Sequence, residues 1–397
     1  MLLPIVLFQL MSSASPGCPS SVSYAEALQR MGERPSVRSA ETAANAWAAA
    51  TQSTPPWTGS LSASVEPAFR GWPQNQMGPE GALEVRHTFL LSGAASSRRD
   101  VTRLAAQAAR EGLEVARFRN RLQLLELFTE VELRQDLLAL ARQERQLADG
   151  FVTALRKARA LGEALDVDVA RATAFAAQLE LSVTEQEGRV YEAQLALSDL
   201  LECQGVGGLQ VRREVSEDDV DDEVRLPSSL ARTQVEQEGA ALQQLDDEAA
   251  SSLGVGLRVE ADGPGTARGM ALVSWQWPLF EDGHVERAAQ RAQLHLAEAH
   301  ALQQKSTDAH LLSMALHEVE HTAEVLMTLQ QKVCPALEQT ADLELRAFQA
   351  GQTTSAVVMR AQAAALSARR QRTAATVAHH RAVRRLRLVQ AASGDPQ

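Results

Sequence analysis

Four short stretches of this chain alternate apolar and polar residues with a period of two; the rest carries the longer period of helices. Leu61, Ala63 and Val65 alternate with Ser60, Ser62 and Ser64, which predicts a strand over 58–70. Leu83, Val85, His87, Phe89 and Leu91 alternate with Glu84, Arg86 and Thr88, predicting an answering strand over 82–91. Gly71 to Gly81, with Pro73, Asn75, Gly78 and Pro79, reads as the loop between them. Val255, Leu257 and Val259 against Gly256, Arg258 and Glu260 predict a third strand over 254–261. Asp262-Gly263-Pro264-Gly265 then turns the chain into a fourth over 269–280. Apolar residues on one face and charges on the other mark a strand lying between lipid or core and water.

The helical pattern has clear punctuation. Ser23 with Glu26 three positions later forms a capping-box signature, and the helix it opens is expected to run to Thr51, before Pro55-Pro56. From Ala94 to Lys157 there is no proline, and the only glycines are Gly112 and Gly150. A helix over that stretch would be about 96 Å long, a length suited to coiled coils rather than to an ordinary globular core. Leu122, Leu124, Leu125, Leu127 and Phe128 give it a wide apolar stripe, continued by Leu133, Leu137, Leu138 and Leu140. Gly162 reverses the chain, and a helix returns from Glu163 to Cys203. A shorter helix is expected from about Ser228 to Ala250. Gly283 opens a second long helix broken only by Pro335, Gly351 reverses it, and Thr353 to Ala391 comes back.

The two halves repeat. Gly162 maps onto Gly351, Arg171 onto Arg360 and Gly205 onto Gly394, each at an offset of 189. The expected organisation is therefore a leader over 1–17 and a first structural repeat over 18–205, whose helical hairpin turns at 158–165. An acidic linker over 206–227 follows, then a second repeat over 228–394 whose hairpin turns at 349–354. Glu217-Asp218-Asp219 and Asp221-Asp222-Glu223 read as solvated linker charge, since they lack calcium-loop spacing.

Composition narrows the function. Aromatic residues are 4% of the 397, as expected of long helices built from good helix formers. A net charge of −11 argues against a nucleic-acid surface. The mainly apolar run Leu2 to Met11, followed by small residues to Cys18, resembles a secretory leader, although it lacks an opening Lys or Arg. Cleavage after Ala14 is one reading; cleavage before Cys18 with lipidation of that thiol is the alternative. Beyond the leader no window of about 18 uninterrupted apolar residues occurs, so any membrane passage would have to be made by a closed barrel. Trp57, Phe69, Trp72, Phe89, Trp275, Trp277 and Phe280 all lie in or beside the four strands, where interfacial belts would put them. Cys203 and Cys334 are expected to be free buried thiols.

At this point the chain resembles the outer-membrane efflux proteins of the TolC family. The resemblance rests on Trp277-Pro278-Leu279-Phe280-Glu281-Asp282-Gly283 before a long helix, and on the weaker Phe89-Leu90-Leu91-Ser92-Gly93. It rests also on Gly162, Asp168 and Val169 at the first reversal and on Leu200-Leu201 before Gly205. The second reversal departs from the pattern, with Val357-Val358 where Asp-Val is usual. The resemblance implies a mainly α fold in which long helical hairpins form a periplasmic tunnel. It implies four strands per chain contributing to a homotrimeric, 12-stranded barrel, located in the outer membrane and extending into the periplasm. It implies a passive exit duct working with a periplasmic adaptor and an inner-membrane pump of the RND or ABC type. Gly162, Asp166, Asp168, Val169, Gly351, Val357 and Val358 would then mark the hairpin tips where the adaptor docks, and Gly93 and Gly283 the strand-to-helix junctions.

Other chemistry is thinly represented. His317-Glu318-Val319-Glu320-His321 matches the H-E-x-x-H pattern of zinc proteases, but no third ligand follows at the usual spacing. His317 and His321 are thus at most an adventitious metal pair, and His284, His295, His300 and His310 do not share one helix face. Arg369, Arg370, Arg372, Arg381, Arg384, Arg385 and Arg387 are expected to pair with acids on neighbouring helices. No P-loop, dinucleotide glycine motif or nucleophile elbow is present, so no enzyme and no cofactor is expected. The rival to a channel is a coiled-coil scaffold without channel activity.

Overall fold

The computed structural model describes residues 20–53, 59–71, 77–90, 92–203, 209–212, 224–249, 252–261, 267–276 and 283–393. In chain order these form β1 (Ser21–Val22), α1 (Tyr24–Gly32), α2 (Pro35–Ser53), β2 (Gly59–Gly71) and β3 (Met77–Leu90). Then come α3 (Ala94–Ala160), α4 (Asp166–Leu200), β4 (Gln210–Val211), α5 (Pro227–Glu248), β5 (Ser252–Ala261) and β6 (Ala267–Gln276). The chain closes with α6 (His284–Thr328), a π-helical turn at Leu329–Val333, α7 (Cys334–Gln349) and α8 (Ser355–Ser393). The fold is mainly α with few strands. Among the described residues no helix is long and apolar enough to cross a membrane.

The chain divides into two compact units that each draw on both halves of the sequence. One comprises 1–38, 116–225 and 309–397; the other comprises 39–115 and 226–308. The 67-residue α3 runs from the second into the first, and α6 does the same.

In the first unit the core is a helical seam. Leu124, Phe128 and Val131 of α3 pack with Ala193, Leu197 and Leu200 of α4 and with Ala27 and Met31 of α1. Tyr24 meets Phe128 edge-on at 5.3 Å, and the Arg384 guanidinium stands 5.7 Å over the centre of the Tyr24 ring. Further along, Val152 and Leu155 pack with Ala172, and Phe348 and Met359 lie against them. Helices of small and aliphatic residues can approach closely, which is why so few aromatics suffice.

Several local features depart from the sequence expectations. The helix expected from Ser23 to Thr51 is two helices, because Pro35 lacks the N–H that would continue α1 and suits the first position of α2. The cap itself is as expected: Ser23 N–H donates to Glu26 Oε2 at 2.9 Å and Glu26 N–H donates to Ser23 Oγ at 3.3 Å. The Ser23 N–H and then the Arg212 guanidinium hold the Glu26 carboxyl below the usual carboxylate range. β3 begins at Met77, inside the stretch read as loop, because its ladder with β2 continues to Gly71↔Met77. Near Pro335 the helix widens rather than ends: Cys334 N–H reaches Leu329 O, a π-type bond, and Pro335 falls in the first turn of α7. A parallel pair, β1 with β4, was not anticipated; it places Val22 and Leu209 in the core. Cys203 is disulfide-bonded, not free, because a count of three cysteines does not reveal pairing. Cys334 is the buried thiol expected.

Phe128→Ala empties the centre of the α1–α3–α4 seam and should destabilise the protein by about 3–5 kcal/mol. Denaturant unfolding followed by helical circular dichroism checks this. A loss under about 1 kcal/mol would show that the seam is not the core.

Candidate functional site

The four long strands form one antiparallel sheet in the order β2-β3-β5-β6. Its register sets Leu61 beside His87, Val255 and Val273, then Ala63, Val85, Leu257 and Ala271, then Val65, Leu83, Val259 and Gly269. Side chains alternate along a strand, so these three rows share one face. That face is apolar and open to solvent: Leu61, Val65, Leu257 and Val273 are 71%, 71%, 66% and 74% exposed. Phe89, Leu253 and Trp275 form a further row on the same face. Phe89 and Trp275 are the two aromatics of the expected belt whose side chains are described; Trp57, Trp72, Trp277 and Phe280 lie outside the described residues.

The opposite face is polar. Ser62, Ser64 and Glu66 of β2 stand with Glu84, Arg86 and Thr88 of β3, with Arg258 and Glu260 of β5, and with Arg268 and Ser274 of β6. Burying the apolar rows in an apolar medium would be favourable by about 25 cal/mol per Å² removed from water, while the charged face needs water or partners. β2 and β6 are the sheet's edges, so one side of each backbone lacks a neighbouring strand within this sheet.

The two helical reversals share one geometry. Gly162 and Gly351 have φ of +80° and +73°, the left-handed conformation glycine adopts without strain. Beyond each, the chain closes a six-to-one bond: Glu163 N–H to Ala158 O at 2.9 Å, and Gln352 N–H to Ala347 O at 2.8 Å. The next helix starts three residues later. Asp168 Oδ2 accepts from Leu165 N–H at 3.3 Å, capping α4, and Asp168 Oδ1 accepts from the buried Ser355 hydroxyl at the start of α8. One carboxylate thus ties the two reversals together. Asp166 pairs with Arg159 across the first turn. Val169 packs beside Val152, Leu155 and Ala172, whereas Val358 is buried and Val357 half-buried. Leu161, Leu165 and Val167 are exposed around the first tip.

At the strand-to-helix junctions, Gly93 O accepts from Ser97 N–H and Gly283 O from Arg287 N–H, each at 3.0 Å. Three consecutive acids at the end of α5 serve both. Asp247 accepts from the hydroxyl of Ser97, Glu248 pairs with Arg98 at 2.7 Å, and Asp246 pairs with Arg287 at 3.4 Å. Burial pushes the Glu248 carboxyl up, but hydrogen bonds from Gln244 and Arg98 outweigh it and leave it below the ordinary range. These acids were missed because their partners are some 40 or 150 residues away, and only their position at a helix end hinted at a role.

The remaining candidates resolve into helix-helix contacts. His317 and His321 stack with ring centres 5.9 Å apart, and Glu318 between them is held by Arg381 at 3.6 Å and Arg385 at 3.4 Å. Among the described residues no group of three or more His, Cys, Asp or Glu side chains is placed to hold a metal. Of the seven arginines of α8 expected to pair with acids, Arg369 pairs with Glu338, Arg370 with the buried Glu144, and Arg381 and Arg385 with Glu318, while Arg384 stands over the Tyr24 ring. Cys18, the candidate lipidation site, lies outside the described residues.

No known family model matches the sequence, and no curated protein matches it. Solved structures do match its fold. The outer membrane protein VceC from Vibrio cholerae superposes with a TM-score of 0.77 at 14% identity, covering 94% of this chain and 97% of that one. The outer-membrane channel OprN gives 0.76 at 16% identity, covering 94% and 90%. A membrane protein from Pseudomonas aeruginosa gives 0.75 at 15%, again covering 94% and 90%. The chain shares their TolC-like fold over nearly its whole length.

Asp168→Ala removes the α4 cap and the bond to Ser355 together, and should cost about 1–2 kcal/mol, felt locally. Hydrogen exchange of the amides around 161–169 and 353–358 should quicken in both hairpins. Faster exchange in the first alone would show that the link to Ser355 carries nothing.

Proposed function

We propose that this chain, with the fold of outer-membrane channel proteins, is the channel subunit of an export system. Three copies join their four-stranded sheets into a closed 12-stranded barrel in the outer membrane, and their helical hairpins line a conduit through the periplasm. The observation that carries this reading is the four-stranded sheet with one bare apolar face, one charged face and two edge strands. In lipid every backbone N–H and C=O must be paired, so a sheet can enter only if its edges close. Four strands are too few for a known membrane barrel; twelve fall well inside the range. The apolar face then meets lipid, and the charged face lines a water-filled lumen. A coiled-coil scaffold would have no use for an exposed apolar sheet, which in water is an aggregation hazard.

The conduit is passive in this reading, and the driving force comes from an inner-membrane pump of the RND or ABC type. The pump connects through a periplasmic adaptor docked at the tips around Gly162, Asp166, Asp168 and Val169, and around Gly351, Val357 and Val358. The exposed Leu161, Leu165 and Val167 would supply apolar anchors for such a partner. Gly93 and Gly283 are the points where barrel strands pass into conduit helices.

Fractionation of cells followed by mild detergent extraction and native mass determination tests this. Recovery from the outer membrane at three times the mass of the mature chain is the expected result. A monomer or dimer in the soluble fraction would overturn it.

A further inference from the structure

The polar face of the sheet concentrates its charge in two adjacent rows. One row holds Ser64, Glu84, Arg258 and Met270; the next holds Glu66, Ala82, Glu260 and Arg268. Same-face rows are about 7 Å apart, so the charges form a narrow belt. Arg258 is its hub. Its Nε donates to Glu260 at 2.7 Å, Nη2 to Glu66 at 3.1 Å and Nη1 to Glu84 at 3.5 Å, so one guanidinium reaches across β3 to β2. Arg86, one row away, pairs with Glu84 at 2.6 Å, and Arg268 stands in register with Glu260. The described side chains of this face carry three glutamates and three arginines, so the belt is neutral in sum.

Beyond Arg258, the two β5 positions on this face are glycines. A Cβ at Gly256 would come within 2.9 Å of Val85 O and 3.3 Å of Arg86 Cα. One at Gly254 would meet Ser274 Oγ at 2.4 Å and Arg86 Cδ at 3.4 Å. These two glycines leave a trough for the Arg86 stem, which lies along the sheet rather than projecting from it.

We infer that Arg258, balanced by Glu66, Glu84 and Glu260, is a determinant of ion selectivity in the barrel lumen, holding the pore near neutrality between cations and anions. The inference rests on the proposed channel. In a barrel, lumen-facing substitutions tune selectivity, and the summed charge of a ring decides which sign of ion is favoured. Removing Arg258 leaves one uncompensated glutamate per chain, repeated around the barrel. Removing Glu66 leaves one uncompensated arginine. A merely structural clamp would respond in the same way to both changes; a selectivity belt responds with opposite signs.

The test uses the full-length protein in planar phosphatidylcholine bilayers across a tenfold KCl gradient, kept at or below about 0.1 M so that screening does not hide the belt. The readout is the ratio of cation to anion permeability, taken from the reversal potential. Arg258→Gln should raise that ratio about two-fold or more, Glu66→Gln should lower it by a similar factor, and Arg258→Lys should stay near wild type. Arg258→Lys keeps the charge while disturbing the three-way pairing, so it separates charge from folding. Conductance steps with an unchanged ratio in both neutralised variants would overturn the inference and leave the channel standing. A shift of the same sign in both would also overturn it. Absence of conductance in the wild-type protein would overturn the channel and the inference with it.

Discussion

Backbone hydrogen bonding at the edges of a sheet governs what this chain can become. β2 and β6 are 13 and 10 residues long and border a face whose leucines and valines stand in the open. An unpaired edge beside an apolar face is unstable in water, where it invites strand addition, and impossible in lipid, where nothing else satisfies it. Closure with further copies removes both difficulties at once. The assembly proposed above rests on that constraint and on no catalytic group.

The helices answer a different constraint, that of reversing direction without leaving carbonyls unsatisfied. Gly162 and Gly351 solve it identically, through a left-handed residue and a six-to-one hydrogen bond. The start of the following helix is where the two differ. Asp168 caps α4 and reaches Ser355, whereas the half-buried Val357 at the matching place has no carboxylate to offer. A single polar residue thereby couples two hairpins that are otherwise built alike. Elsewhere most charge contacts between helices are exposed, such as Arg142 with Glu187, but the Glu144 carboxylate lies buried beneath Arg370. Deleting one partner of such a pair would leave a buried charge alone, so it specifies alignment as much as it stabilises.

Much of this was legible from local chemistry. The alternation of Leu83, Val85 and His87 with Glu84 and Arg86 announced a two-faced strand, and Ser23 with Glu26 announced a helix start. Less legible were features that depend on partners distant in sequence. β1 and β4 are only two residues each, too short for any periodicity to register. Asp246, Asp247 and Glu248 look like ordinary surface acids until α3 and α6 are brought to them. The hub role of Arg258 follows from register, because Glu66 is 192 residues away in the chain. Pro35 splits the first helix although the alanine-rich sequence beyond it suggests continuity, because its missing N–H forbids it.

The central claim is that the sheet closes by pairing β2 of one copy with β6 of the next. A reconstruction of the protein in lipid nanodiscs by electron cryomicroscopy tests it most directly. The account predicts a threefold particle with twelve membrane strands, an unbroken ladder between β2 and β6 of adjacent copies, and the Arg258 face turned to the lumen. A particle in which the sheet stays open, or in which Leu61, Leu257 and Val273 face the interior, would contradict it.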